Sequence, residues 1–218
     1  MELQTALTTT RAVRKRLDLQ RPVGREIVRD CLRLAFQAPN GSNQQLWRWM
    51  VVDDPAVRAT MAEIYRDAID AYANSADVAN IDYSTPEALR ISDSVMYLRD
   101  HLHEVPVLVV PLLVGRLDRA GVFHQASMWG SVLPAAWSFM LALRERGLGS
   151  AWTTVHLHRE REMADALGVP FESFTQAGLF PVAYTIGTEF SPAPRRSPDD
   201  VVRWNQWTSA PTPPQEDG

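Results

Sequence analysis

"GVFHQASMWGSVLPAAWSFMLALRERGLGSAW", residues 121–152, decides how the rest of the chain is arranged. From Ala120 to Leu143 there is no Asp, Glu, Lys or Arg, a length sufficient to cross a bilayer. His124, Gln125, Ser127, Ser131, Pro134 and Ser138 interrupt the run, so it reads as a buried helix of a soluble protein. Arg144 and Arg146 sit in its last turn and Gly147 stops it. Phe123, Met128, Trp129, Leu133, Trp137, Phe139, Met140, Leu141 and Leu143 cover nearly its full circumference, and a helix apolar all round must be covered all round. In a chain of 218 residues its own sheet covers one side, and a second copy is expected on the other. The C-terminal "WNQW" and the Pro-rich tail would reach across such an interface. A central helix wrapped within one subunit is the alternative.

Working outward, "GSAWTT" after the helix predicts a short strand, "REREMADALG" a helix stopped by Gly168, and "LFPVAYTIGTEF" the last strand. Before it, "PVLVVPLLVG" is an uninterrupted apolar run fit for a buried strand, despite Pro111. "PEALRISDSVMYLRDHLHE" and "PAVRATMAEIYRDAIDAYA" predict helices, the second opened by Pro55 in its first turn. Residues 74–86 between them are polar and predict irregular chain. "WRWMVVDD" predicts a strand, and "VGREIVRDCLRLAFQA" a helix with Val23, Ile27, Cys31, Leu34 and Ala35 inward, over before Pro39. No repeat or linker divides the chain, so residues 1–208 are expected as one domain and 209–218 as a flexible tail.

A net charge of −4 gives no reason to expect nucleic acid. The single Cys31 excludes an intramolecular disulfide, and the N-terminal stretch has no apolar signal core; a reducing, cytoplasmic setting is the expectation. The phosphate-loop, dinucleotide-fold, nucleophile-elbow and zinc-helix motifs are absent. The two His-Leu-His triplets at 101–103 and 156–158 have no carboxylate or cysteine cluster to complete a metal shell, so no metal is expected. Two basic clusters remain, Arg11, Arg14, Lys15 and Arg16 near one end and Arg195 with Arg196 near the other. Guanidinium forks beside hydroxyls suit a phosphate if the fold brings them together; alone, each reads as a solvated face.

In order, these segments resemble the FMN-dependent nitroreductase family over most of the chain. Thr10-Arg11-Ala12-Val13-Arg14 is similar to its opening R-R-S-x-R, and Ala38-Pro39-Asn40-Gly41-Ser42-Asn43-Gln44-Gln45-Leu46-Trp47 to A-P-S-x-x-N-x-Q-P-W. Gly147-Leu148-Gly149-Ser150-Ala151-Trp152 matches G-L-G-[ST]-x-W, Pro181-Val182-Ala183-Tyr184 the P-V-G-Y strand, and Arg196-Ser197-Pro198 the closing R-x-P. The resemblance implies an α+β fold, a small mixed central sheet flanked by helices, in an intertwined homodimer with the flavin at the subunit interface.

It further implies that Arg11, Ala12, Arg14, Arg195 and Arg196 lie at the FMN phosphate. Pro39, Asn40, Gly41, Asn43 and Gln45 would reach the flavin of the partner subunit. Thr154, Val155, His156 and Leu157 would run along the reactive ring, where a backbone N–H donates. Residues 66–104 would supply part of a lid, and Tyr72, Tyr83 and Phe123 are candidates to stack on substrate, ordinary packing being the alternative for each. No side chain is named as catalytic, because the cofactor carries the chemistry. The expected activity is hydride transfer from NADPH or NADH through FMN to an electron-poor nitroaromatic or quinone, with ping-pong kinetics. Dehalogenation, enone reduction or flavin fragmentation on the same scaffold is the alternative, and a poorly active FMN-sequestering protein is the rival from another class. Ala12, Asn40 and Leu46 depart from the motif residues, and Thr10 stands where the first arginine is usual.

Overall fold

The apolar run at 107–114 becomes β3 (Val107–Val114), buried along all but its last residue. The computed structural model describes residues 1–75 and 84–207. On one edge β3 pairs antiparallel with β2 (Trp47–Val52), from Trp47 opposite Leu113 to Val52 opposite Leu108. On the other edge it meets first β6 (Phe180–Thr185), Val109 opposite Phe180, and then β5 (Phe174–Gln176), Leu112 opposite Gln176. β6 also carries β1 (Leu17–Asp18) and β4 (Leu148–Ser150). Every ladder among the described residues is antiparallel, and the expected mixed character is confined to one isolated parallel bridge between Ala12 and Ser150.

Pro111 survives in the middle of this sheet for a geometric reason. Between the last β6 pair and the first β5 pair, Val110 and Pro111 face three residues, Ala177, Gly178 and Leu179, which is a bulge. Ala177 N–H donates to Pro111 O at 2.9 Å, so the backbone polar side of Pro111 points at the bulge and its missing N–H removes no ladder bond. Gly178 has φ +154°, and a Cβ there would come within 2.4 Å of Trp152 Nε1. The bulge is also a dock: Trp152 Nε1 donates to Ala177 O at 3.2 Å, and Thr153 exchanges both backbone hydrogen bonds with Leu179.

Helices cover both faces. α2 (Arg25–Ala35) and α5 (Val122–Glu145) pack on one, joining Val28, Cys31, Phe139 and Leu143 to Phe180 and Val182. α3 (Pro55–Ala73), α4 (Pro86–His101) and α6 (Glu160–Ala166) pack on the other, joining Met61, Tyr65, Leu98 and Met163 to Leu108 and Val110. Asp54 caps α3 by accepting from Ala56 and Val57 N–H at 2.9 and 3.1 Å, and Thr85 Oγ1 caps α4 from Ala88 N–H at 3.1 Å. α1 (Leu3–Thr9) and α7 (Pro198–Val201) complete the chain.

α5 is only half covered. Met128, Val132, Ala135, Ala136, Phe139 and Leu143 are buried, whereas Phe123 is 88% exposed, Leu133 38% and Trp137 37%. Leu34 of α2, expected inward, is 45% exposed and lines a groove with Leu3, Ser138 and Leu141. By length and composition α5 is the one described helix able to cross a membrane; half of that span is buried in the protein.

Candidate functional site

Arg14 is placed by the bridge that starts the fold. Val13 N–H donates to Ser150 O at 2.9 Å and the Val13 side chain is buried, which turns Arg14 toward α4. There its guanidinium donates to Ser94 Oγ at 3.2 Å, and burial lowers its pKa from the ordinary arginine value. Its neighbour Lys15 pairs with Asp93, but among the described residues no carboxylate pairs with Arg14. Arg14 is thus a partly buried cation with no described counter-charge, and partial desolvation of such a cation carries a cost.

Arg14 opens onto a cavity of about 310 Å³ shared with Tyr65, Tyr72, Trp152, Thr153 and Val155. Trp152 and Thr153 are held by the bulge, and Thr154 ends the extended chain before a 3₁₀ turn over Val155–Arg159. The first hydrogen bond of that turn runs from Leu157 N–H to Thr154 O at 2.9 Å, so the N–H groups of Val155 and His156 precede its internal pairing. Tyr65, fully buried, places its hydroxyl 3.2 Å from Thr153 Oγ1. The rings of Tyr72 and His158 lie 5.5 Å apart at the mouth.

The four residues expected along the cofactor ring divide. Thr154 and Val155 line the cavity with Arg14. Leu157 lines a second cavity of about 310 Å³ with Trp129, Glu160 and Gln176. His156 is buried, 0% exposed, with no hydrogen-bond partner at either ring nitrogen among the described residues; desolvation lowers its pKa to about 4. Gln176 is the polar side chain facing it and is itself fixed to Glu160, which forms a two-pronged ion pair with Arg116. The sequence pattern carries no mark of that inward turn, since both histidines of the triplet look alike.

The N-terminal basic cluster bonds the chain that follows β6, short of Arg195 and Arg196. Arg11 Nε donates to Ser191 O at 3.2 Å, and Arg16 donates to Ile186 O and Glu189 O. Phe190 is clamped between Arg16 and Arg144, 4.2 and 4.6 Å from its centroid. Arg195 and Arg196, a few residues further on, are exposed and make no described contact with Arg11 or Arg14. Ala12 is exposed and bridges Ser150.

The loop Pro39–Gln45 lies elsewhere, against α5. Gly41 N–H donates to Ser131 Oγ at 3.0 Å, and Asn40 Oδ1 accepts from Gln45 N–H at 2.9 Å. Ser42, Asn43 and Gln45 hold φ of 50°, 52° and 51°, the left-handed region that side chains visit at a cost. No described contact joins this exposed loop to the Arg14 cavity of its own chain. Phe123 is likewise remote in contacts, Tyr72 is on the cavity wall, and Tyr83 lies outside the described residues. Among the described residues no group of His, Cys, Asp and Glu could hold a metal ion.

The family model described as the nitroreductase family matches residues 7–184. An iodotyrosine deiodinase crystallised with FMN and 3-iodo-L-tyrosine has a TM-score of 0.70 at 22% identity, over 94% of this chain and 100% of that one. A BluB-like flavoprotein from Clostridium difficile 630 gives 0.70 at 20%, over 94% and 100%. An FMN- and NADPH-dependent nitroreductase, NfnB, from Sphigopyxis sp. strain HMH gives 0.68 at 19%, over 95% and 100%. At these identities the likeness speaks of fold. No curated protein sequence matches the chain.

Proposed function

The chain belongs to the nitroreductase family, and from that premise we propose that it is an FMN-containing NAD(P)H oxidoreductase acting on electron-poor acceptors such as nitroaromatics or quinones. The observation that carries this reading is the uncompensated Arg14 on a cavity whose wall is the Thr153–Val155 turn. The residues fit the cofactor: guanidinium and hydroxyl donors answer acceptor-rich atoms, and Trp152 and Tyr72 give the cavity flat apolar walls. A neighbour of the same fold with FMN bound, and another described as FMN-dependent, support it.

Bound FMN would accept a hydride from the nicotinamide and pass it to the acceptor. The protein's part is placement. Arg14 would hold the negative edge of the cofactor, Arg11 with Arg195 and Arg196 the phosphate, and the turn N–H groups the ring. The loop Pro39–Gln45 would reach the flavin of a second subunit docked on the open face of α5, since it makes no described contact with its own cavity. Donor and acceptor would use one open ring face in turn, which predicts ping-pong kinetics, with NADPH preferred as in NfnB.

A different flavin reaction on this scaffold is the second reading, favoured by the equal structural likeness to a deiodinase. The test is the absorption spectrum of the purified protein before and after NADPH under nitrogen. A flavin spectrum that bleaches supports the proposal, and menadione or nitrofurazone should then restore it. Flavin that stays oxidised would favour the sequestering or alternative-donor reading, and protein that takes up no FMN would sink both.

A further inference from the structure

Among the described residues Tyr65 is the largest fully buried side chain, yet it lines the cavity and its hydroxyl meets Thr153 Oγ1 there. Its partner among the described residues is Thr153 Oγ1, 3.2 Å away. Thr153 in turn has no backbone group to spare, because its N–H and C=O are both bonded to Leu179. Whatever Thr153 offers the cavity, it offers through its side chain.

The proton count is informative. Two hydroxyls sharing one hydrogen bond hold two protons, of which one lies between the oxygens and the other is left to point elsewhere. Burial raises the pKa of the phenol, which therefore keeps its proton, and the phenol is the stronger donor of the two. Either oxygen can donate in this contact; with the phenol as donor, the threonine proton is left to turn toward the cavity. Arg14, on the same wall, has donors only. With no carboxylate paired to it, that wall presents an array of donors.

We propose that Tyr65 is a positioning residue that fixes the Thr153 hydroxyl as a donor, so that Thr153 and Arg14 together read an acceptor edge of a planar ligand. The inference rests on the flavin reading above and deepens it: the edge is that of the FMN ring. It assigns to a core tyrosine of α3 a role that none of the sequence motifs touches.

The test is a double-mutant cycle read by cofactor affinity rather than turnover. FMN is titrated into flavin-free wild type, Tyr65→Phe, Thr153→Val, Thr153→Ser and the Tyr65→Phe/Thr153→Val double variant, following FMN fluorescence. One neutral hydrogen bond corresponds to about a threefold to tenfold change in Kd. Thr153→Val should weaken FMN by that factor, Thr153→Ser should remain within about twofold of wild type, and Tyr65→Phe should weaken it by less. The double variant should be no weaker than Thr153→Val alone, because Tyr65 acts through Thr153. A double variant whose loss is the product of the singles, or singles that bind as wild type does, overturns the proposal while leaving the flavin site intact. Wild type that binds no FMN overturns the flavin reading and this inference with it.

Discussion

Gly41 and Ser131 are joined by a backbone-to-hydroxyl hydrogen bond of 3.0 Å that pins the polar loop to α5. Ser131 Oγ–H in turn donates to Ser127 O at 2.8 Å, and a Cβ on Gly41 would meet Ser127 Oγ at 3.0 Å. The loop is therefore seated on the helix that carries the exposed apolar face.

Ser131→Ala removes the acceptor for Gly41. The expected loss of stability is about 1 kcal/mol, a fall in Tm of about 2–4 °C by differential scanning calorimetry. FMN affinity should fall with it, because the loop would complete the neighbouring subunit's site. Unchanged affinity at lowered Tm would remove the loop from the flavin site.

Arg14→Ala tests the unpaired cation. Loss of a charge-assisted hydrogen bond should weaken FMN by about tenfold to a hundredfold in a fluorescence titration. Arg14→Lys, which keeps charge but not the fork, should fall between. Wild-type affinity in Arg14→Ala would refute its role.

His156 predicts a pH dependence with a definite sign. Its folded pKa of about 4 lies below the ordinary histidine value of 6.5, so below pH 6.5 the unfolded chain takes up a proton that the folded chain does not. Its contribution is fully present above pH 6.5 and is lost as the pH falls toward 4, by roughly 2–4 kcal/mol in all. Urea unfolding of His156→Leu should show a correspondingly shallower pH dependence between 7 and 4. Parallel curves for variant and wild type would contradict the assignment.

The open face of α5 predicts the assembly. Wild type should sediment as a dimer, and Leu133→Arg, which puts a charge among Leu133, Trp137 and their counterparts, should sediment as a monomer and lose FMN affinity. A Leu133→Arg variant that stays dimeric would place the interface elsewhere.

The long elements were legible because each spans several turns of consistent patterning: α3 begins at Pro55 and ends at Ala73 as its pattern predicts. The elements that escaped, α1, β1, β5 and α7, run two to seven residues, too few for a period to declare itself. The apolar circumference of α5 was legible as well, but composition does not say whether the chain or a partner covers it, and the structure covers half. For the site, Arg14 alone of the motif arginines lines one cavity with Thr154 and Val155. What sequence spacing did not carry was direction: His156 turns inward and Leu157 to the far side of a 3₁₀ turn, where neighbours point 120° apart. Tyr65 was unreadable as a site residue because a tyrosine on the buried face of a helix looks like packing.

The bulge that sets Pro111 opposite Ala177–Leu179 has a consequence for how the chain reaches its fold. Were the segment 174–185 to slide one residue along β3, Pro111 would face a carbonyl inside a continuous ladder and leave it without a donor in a dry interior. Gly178 would at the same time leave a slot beside Trp152 where a Cβ would come within 2.4 Å of Nε1. The misaligned sheet is thus penalised twice, by residues that cost the correct one nothing, so proline and glycine act here as a proofreading pair for strand alignment.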